Sequence, residues 1–131
     1  MNNKRISSGK RISSGYFFLQ GASGIFWWIT LFLSPQFRSY FLPAEFPEGV
    51  LWSLAWPDVP LFAIGSIWAG VLIARKSELA SPICWIVVGV TSYATLMCWG
   101  WYFNTGQAMA GAISMSAALG GTTLFTLNRV A

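Results

Sequence analysis

Four long apolar segments, separated by short polar or proline-containing stretches, occupy most of the chain. A helix of about 20 apolar residues spans the hydrocarbon core of a bilayer, and each segment comes close to that length. The pattern therefore predicts an all-α integral membrane protein, a four-helix antiparallel bundle over residues 16–131. The predicted helices cover about residues 16–34, 58–74, 83–103 and 108–127.

The start of the chain is polar and basic, unlike the segments that follow it. The hexamer Lys-Arg-Ile-Ser-Ser-Gly occurs twice in succession, at 4–9 and 10–15. Because such a composition buries little apolar surface, we expect residues 1–15 to form a disordered tail. The apolar run from Tyr16 is longer than that of a secretory signal peptide, which favours an uncleaved first helix.

The second apolar run, 50–74, contains the sequence Trp-Pro-Asp-Val-Pro at 56–60. Pro57 disfavours a helical conformation at Trp56, so we expect the regular helix to begin near Asp58. Asp58 would then be the N-cap residue, with its carboxylate on free backbone N–H groups. The alternative is a continuous helix from Val50, which places Asp58 about 12 Å along the span. A charged residue at that depth indicates a functional site.

Composition and charge place the protein in a membrane and give it an orientation. Only 9% of the residues are charged, against about 25% in soluble domains. The net charge of +4 does not indicate a nucleic-acid partner, because the basic residues flank apolar runs. Four crossings put seven of the eight basic residues on one side and Arg38 alone on the other. The positive-inside rule then predicts that both termini are cytoplasmic, N-in/C-in. The seven are Lys4, Arg5, Lys10, Arg11, Arg75, Lys76 and Arg129.

Polar residues of the third predicted helix form the second candidate site, together with Asp58. Thr91 and Thr95 are four residues apart and share one helix face, and Tyr93 lies between them. The simpler interpretation is hydrogen bonding between helices. The alternative is a lining for a small polar ligand, formed by Asp58, Thr91, Tyr93 and Thr95. A third candidate, Arg38 with Glu45 and Glu48, is expected to be a solvated interfacial loop.

Metal and cofactor chemistry receive little support. The chain has no histidine, which removes the commonest zinc-binding sets and haem ligation by histidine. Cys84 and Cys98 would lie about 21 Å apart on one helix, too far for a disulfide, so we expect free thiols. We therefore expect no metal and no cofactor.

Small residues in the first and fourth helices predict close helix packing. Glycine, alanine and serine let two helix backbones approach each other in a membrane. We expect these faces to contact a partner membrane protein or a second copy of the chain. The residues are Gly21 and Gly24 in the first helix, and Ala110, Ser114, Ala117 and Gly121 in the fourth.

Several short motifs resemble a known membrane segment. They are Trp-Pro-Asp-Val-Pro-Leu-Phe at 56–62, Gly-Ser at 65–66, Ser-Tyr-Ala-Thr-Leu at 92–96 and Thr-Gly at 105–106. Over about residues 16–127 the chain resembles the N-terminal membrane segment preceding the catalytic region in some bacterial isoprenylcysteine carboxyl methyltransferase-like proteins. Catalysis in that family uses histidine, arginine and glutamate of the later region. The resemblance therefore implies a stand-alone accessory segment in a bacterial inner membrane, with no catalytic residue.

The leading functional prediction is a small non-enzymatic accessory or scaffold subunit in the bilayer. The alternative is a small membrane carrier or ligand-binding protein with its site around Asp58. A proton-coupled four-helix multidrug carrier would hold a carboxylate deep in the first helix, where this chain has only Gln20, Ser23 and Thr30 as polar side chains. An enzyme is not favoured, because no nucleophile or base with a partner is recognisable.

Overall fold

The computed structural model describes the backbone of residues 2–130 and the side chains of residues 8–129. These residues form helices and connecting turns, without any strand. The elements are α1 (Asn2–Leu33), α2 (Pro35–Phe41), α3 (Glu48–Asp58), a π-helix (Val59–Ile64), α4 (Gly65–Ala74), α5 (Ala80–Thr105) and α6 (Met109–Val130). Four helical runs are long and apolar enough to cross a membrane, namely Ser8–Leu33, Glu48–Ala74, Ala80–Thr105 and Met109–Arg129. The predicted all-helical class with four membrane-compatible helices is confirmed.

The N-terminal segment differs from the prediction of a disordered tail over residues 1–15. Met1 lies outside the described residues, and α1 is helical from Asn2 rather than from Tyr16. Ser13 and Ser14 are buried, and the Ser14 hydroxyl donates a hydrogen bond of 2.9 Å to the Gly70 carbonyl. Contact with α4 therefore stabilises a helix that local composition disfavours.

The second span also differs from the prediction. The helix does not begin at Asp58, because α3, the π-helix and α4 follow one another without a break from Glu48 to Ala74. Asp58 has helical angles and makes no capping hydrogen bond with its side chain. Pro60 has no N–H group and its ring crowds the carbonyl of the preceding turn. The wider π turn accommodates that ring within a continuous helix.

The turns between the other helices follow the sequence signals. Pro35 follows the end of the first span: α1 stops at Leu33, and the Ser34 hydroxyl accepts a hydrogen bond from the Phe37 amide at the start of α2. After α5 the chain turns at Gly106, which follows Thr105 directly and whose φ of 69° lies in the left-handed region. Glycine adopts this conformation at no steric cost, which explains its place after α5.

The helices pack through small residues within the chain itself. The most extensive contacts join α1 to α4 and α5 to α6. A Cβ atom added to Gly21 would lie 2.5 Å from Ile67 Cγ1 and 2.6 Å from the Ala63 carbonyl oxygen. Gly24 faces Ala63 and Phe62 in the same contact. The glycines of α1 therefore bring α4 and the π-helix close to α1, where the sequence predicted contact with a partner.

The four residues of α6 that were predicted to pack against a partner divide into two groups. Gly121 lies directly against the Tyr16 hydroxyl of α1, so it serves packing within the chain. Ala110, Ser114 and Ala117 are exposed on the surface of α6. Of these four residues, the three exposed ones remain accessible to a partner.

Candidate functional site

Asp58 points into the molecule and is held there by Trp28. It lies at the end of α3, ten residues after Glu48, which is about 15 Å along the helical run. The Trp28 indole Nε1 donates a hydrogen bond of 2.5 Å to Asp58 Oδ2. Trp28 is buried in α1, whereas Trp56 and Pro57 beside Asp58 are exposed. One carboxylate therefore turns inward from a segment whose neighbouring side chains turn outward.

A small cavity adjoins this carboxylate, and we call it the Asp58 cavity. Its volume is about 40 Å³, enough for a water molecule or a small cation. None of its lining residues is basic, and Asp58 is the one charged group among them. The lining consists of Trp27, Trp28, Leu31, Phe41, Leu42, Leu54, Asp58, Ala94, Met97, Cys98, Trp101 and Met115.

The hydroxyl residues of α5 do not join Asp58. Thr91 is buried and its hydroxyl donates to the Val87 carbonyl at 2.7 Å. The buried Thr95 hydroxyl lies 2.7 Å from the Thr91 carbonyl and 3.0 Å from the Met115 carbonyl. Tyr93 is 70% exposed on another side of the helix. The proposed grouping of Asp58, Thr91, Tyr93 and Thr95 is therefore not assembled, and Thr95 instead links α5 to α6.

A second polar cluster joins three helices at the other half of α1. Gln20 Nε2 donates to Ser66 Oγ of α4 at 3.0 Å, and Thr122 Oγ1 of α6 donates to Gln20 Oε1 at 2.8 Å. The Tyr16 hydroxyl lies 2.6 Å from the same Gln20 oxygen. Gln20, Ser66 and Thr122 are all buried, so the cluster satisfies their polar atoms inside the helix bundle.

A larger groove of about 300 Å³ lies between α1 and α6, and we call it the α1–α6 groove. Trp27 and Met115 line both this groove and the Asp58 cavity. The Trp27 indole nitrogen is buried and has no hydrogen-bond partner among the side chains and backbone that the structure describes. The remaining lining residues are Tyr16, Leu19, Gln20, Ser23, Gly24, Phe62, Ser114 and Ala118.

The cysteines are free, as predicted, and both are buried. Cys98 lines the Asp58 cavity, whereas Cys84 belongs to a separate core with Phe17 and Val87. Among the residues that the structure describes, no three His, Cys, Asp or Glu side chains come together in a way that could hold a metal ion.

Arg38 serves a structural purpose at the end of α1. Its guanidinium donates to the Leu31 carbonyl and, at 2.9 Å, to the Phe32 carbonyl. Its Nη2 atom lies 4.0 Å from Glu48 Oε1, and the Glu48 side chain is largely exposed. The cation therefore neutralises free carbonyls at a helix C-terminus.

Several residues of the site were outside the sequence prediction. Trp28 and Met97 carry no signal of their own in an apolar helix, and their position beside Asp58 follows from how α1 and α5 pack. Gln20 was noted as polar, but its partners Ser66 and Thr122 lie 46 and 102 residues away along the chain. The sequence matches no family model, and no curated protein and no solved structure is significantly similar to it. The resemblance to the methyltransferase-associated segment stays a prediction.

Proposed function

We propose that this protein is a small membrane carrier or ligand-binding protein, in which the Asp58 carboxylate binds a monovalent cation. The observation that carries the proposal is an inward-facing carboxylate at a cavity without a basic side chain. Among the described residues its single hydrogen-bond donor is the Trp28 indole, which carries no charge. An ionised carboxylate in such surroundings is costly, and a bound proton or cation lowers that cost.

The lining of the cavity favours a cation over an anion or a neutral polar ligand. Three tryptophan side chains, Trp27, Trp28 and Trp101, line it together with the carboxylate. The faces of indole rings attract cations, most strongly where water is excluded. The π-helix that follows Asp58 adds support, since interruptions of this kind are frequent at functional sites. Thr91, Tyr93 and Thr95 have no part in this site.

The proposed topology is an antiparallel bundle with both termini in the cytoplasm. It is supported by the distribution of the basic residues, of which Arg38 alone belongs to the opposite side. Asp58 is closer in sequence to the outer end of its helical run, Glu48, than to the inner end, Ala74. A cation from outside would therefore reach it before crossing most of the membrane. The resemblance to bacterial membrane segments leads us to propose a bacterial inner membrane.

The experiment is a cation titration of the thermal stability of the purified protein. We expect ammonium chloride, at constant ionic strength, to raise the melting temperature of the wild type in a saturable way. A ligand at a hundred times its dissociation constant stabilises by about 2.7 kcal/mol. Asp58→Asn preserves the shape of the side chain and the acceptor for Trp28, and we expect it to abolish the shift.

Glu48→Gln is the matched control, because it removes a carboxylate from the exposed start of α3. It should retain the full ammonium response. Equal responses of the wild type and Asp58→Asn would refute the proposal. A wild type that purifies with a partner in fixed ratio and does not respond to cations would favour the second candidate.

The second candidate is the accessory or scaffold subunit, which packs against another membrane protein or a second copy. The observation in its favour is the exposed small-residue face of α6, formed by Ala110, Ser114 and Ala117. Such a face lets another helix come close in a bilayer. Gly21 and Gly24 no longer support this candidate, since they face residues of the same chain.

A further inference from the structure

We propose that the ligand of Asp58 is an amphipathic organic monocation, which enters sideways from the bilayer through the α1–α6 groove. This inference rests on the proposed function, because it gives the ligand class and the entry path for the same carboxylate. It is based on two cavities that share lining residues but differ in polarity. One cavity carries the carboxylate, and the other is a larger, mostly apolar groove.

The two cavities meet at a partition made by two side chains. Trp27 of α1 and Met115 of α6 line the groove on one side and the Asp58 cavity on the other. Methionine is unbranched and changes conformation readily. Trp27 contacts Phe41 edge to face, with ring centroids 5.5 Å apart, and its indole nitrogen has no partner to fix it. A ligand can therefore pass from one cavity to the other by displacing these two side chains.

The two cavities differ in size, so each suits a different part of a ligand. The Asp58 cavity, at about 40 Å³, accepts only a compact head such as an ammonium group. The groove, at about 300 Å³, lies at the lower end of the usual range for small-molecule sites. Its apolar wall includes Leu19, Phe62 and Ala118. The arrangement suits a cationic head at Asp58 and a short hydrocarbon tail in the groove.

The groove opens at the surface of the helix bundle, within the candidate membrane spans. Leu19 is 68% exposed, and Ser114 is exposed on the facing helix. Both residues belong to helices that are long and apolar enough to cross a bilayer. An amphipathic cation dissolved among the lipid chains would therefore meet the groove directly, with its tail at the depth of the groove in the bilayer.

Ser114→Leu tests the path by filling the groove, and Ala117→Leu is the matched control. Both residues are exposed on α6, but only Ser114 lines the groove. The measurement compares binding of ammonium and of hexylammonium to the wild type, to both variants and to Asp58→Asn, in nanodiscs of one lipid composition. We expect Ser114→Leu to weaken hexylammonium binding at least tenfold and to leave ammonium binding unchanged. Ala117→Leu should leave both unchanged.

The outcomes separate this inference from the proposed function. Unchanged hexylammonium binding by Ser114→Leu, with an ammonium response that still needs Asp58, would refute the path and keep the cation site. If Asp58→Asn binds ammonium and hexylammonium as well as the wild type does, both this inference and the proposed function are refuted. Hexanol is the neutral probe with the same tail. Binding of hexanol as tightly as hexylammonium, without any effect of Asp58→Asn, would also overturn the inference, because the groove would then be a site for apolar tails alone.

Discussion

At the scale of single residues, the contact between Trp28 and Asp58 decides which way the carboxylate faces. The indole N–H needs an acceptor when it is buried, and the carboxylate needs a donor. The hydrogen bond between them satisfies both groups across α1 and α3. Asp58 is therefore a partly buried residue with a defined partner, and the interpretation as a helix cap is wrong, since its side chain makes no capping hydrogen bond. The partner also leaves the other carboxylate oxygen available to a ligand.

Trp28→Phe should destabilise the protein by about 1–3 kcal/mol, because it leaves the Asp58 carboxylate without a protein donor. The measurement is denaturant unfolding in mixed micelles. Trp56→Phe is the control, since Trp56 is 78% exposed beside the same site, and it should change the free energy of unfolding little. In the Asp58→Asn background the effect of Trp28→Phe should shrink, which a double-mutant cycle measures. Equal effects of the two tryptophan substitutions would contradict this account.

At the scale of helices, the interface of α1 with α4 and the π-helix depends on glycines of α1, which have no side chain to keep the helices apart. Gly21 brings α1 within contact of the backbone at Ala63 and Ile67. Ser14 and Gln20 form hydrogen bonds to Gly70 and Ser66 along the same interface. Close backbones gain van der Waals contacts, which are a main driving force between helices in lipid. This interface also fixes Trp28 relative to Asp58, because both belong to the packed elements.

Gly21→Ala should destabilise the bundle by about 1–3 kcal/mol, since the new methyl group meets backbone atoms that cannot move aside. Gly89→Ala is the matched control, because Gly89 lies within α5 and a Cβ atom there meets nothing within 4 Å. That substitution should be neutral or stabilising, as alanine favours helix more than glycine by about 1 kcal/mol. Unfolding of both variants in mixed micelles measures the difference. A stable Gly21→Ala variant would show that α1 and α4 separate easily.

The helices themselves were largely predictable, and their exceptions have physical reasons. Apolar length indicates the four spans, and Pro35 and Gly106 mark two of the turns. The prolines at 57 and 60 indicated a helix start, but packing of the π-helix on α1 keeps the run continuous. The polar composition of residues 1–15 led to the prediction of a disordered tail. The contact between Ser14 and Gly70, which stabilises a helix there, joins positions 56 residues apart. Local sequence carries no information about such contacts.

The candidate site was predictable only in its central residue. Asp58 is conspicuous as the one acidic residue inside an apolar run. The error was in its companions, because Tyr93 lies two residues from Thr91 and from Thr95, about 200° around the helix. These side chains could not all line one cavity. Trp28 of α1 and Met97 and Trp101 of α5 line the same cavity as Asp58. Their arrangement depends on how the helices pack, which a local reading of the sequence cannot predict.

At the scale of the whole molecule, polar contacts join segments that a four-crossing topology places at the same membrane surface. The Ala44 amide donates to Gln107 Oε1 at 2.8 Å, which joins the connection between α2 and α3 to the turn after α5. Arg129 Nη2 donates to the Ser77 carbonyl at 2.9 Å, which joins the end of α6 to the turn before α5. The second pair brings Arg129 to the turn that follows Arg75 and Lys76, which agrees with the proposed topology in which these three residues share one side.

Labelling of introduced cysteines tests the orientation. We expect Glu45→Cys to react with a membrane-impermeant maleimide on intact cells, because residue 45 lies in the proposed outer connection. Glu78→Cys should react only after permeabilisation, since the turn at 75–79 lies on the positively charged side. Glu45 and Glu78 are both exposed, and the wild type is the blank because Cys84 and Cys98 are buried. The reverse pattern would overturn the orientation and would make Asp58 more accessible from the cytoplasm. Labelling of both positions on intact cells would contradict a single topology.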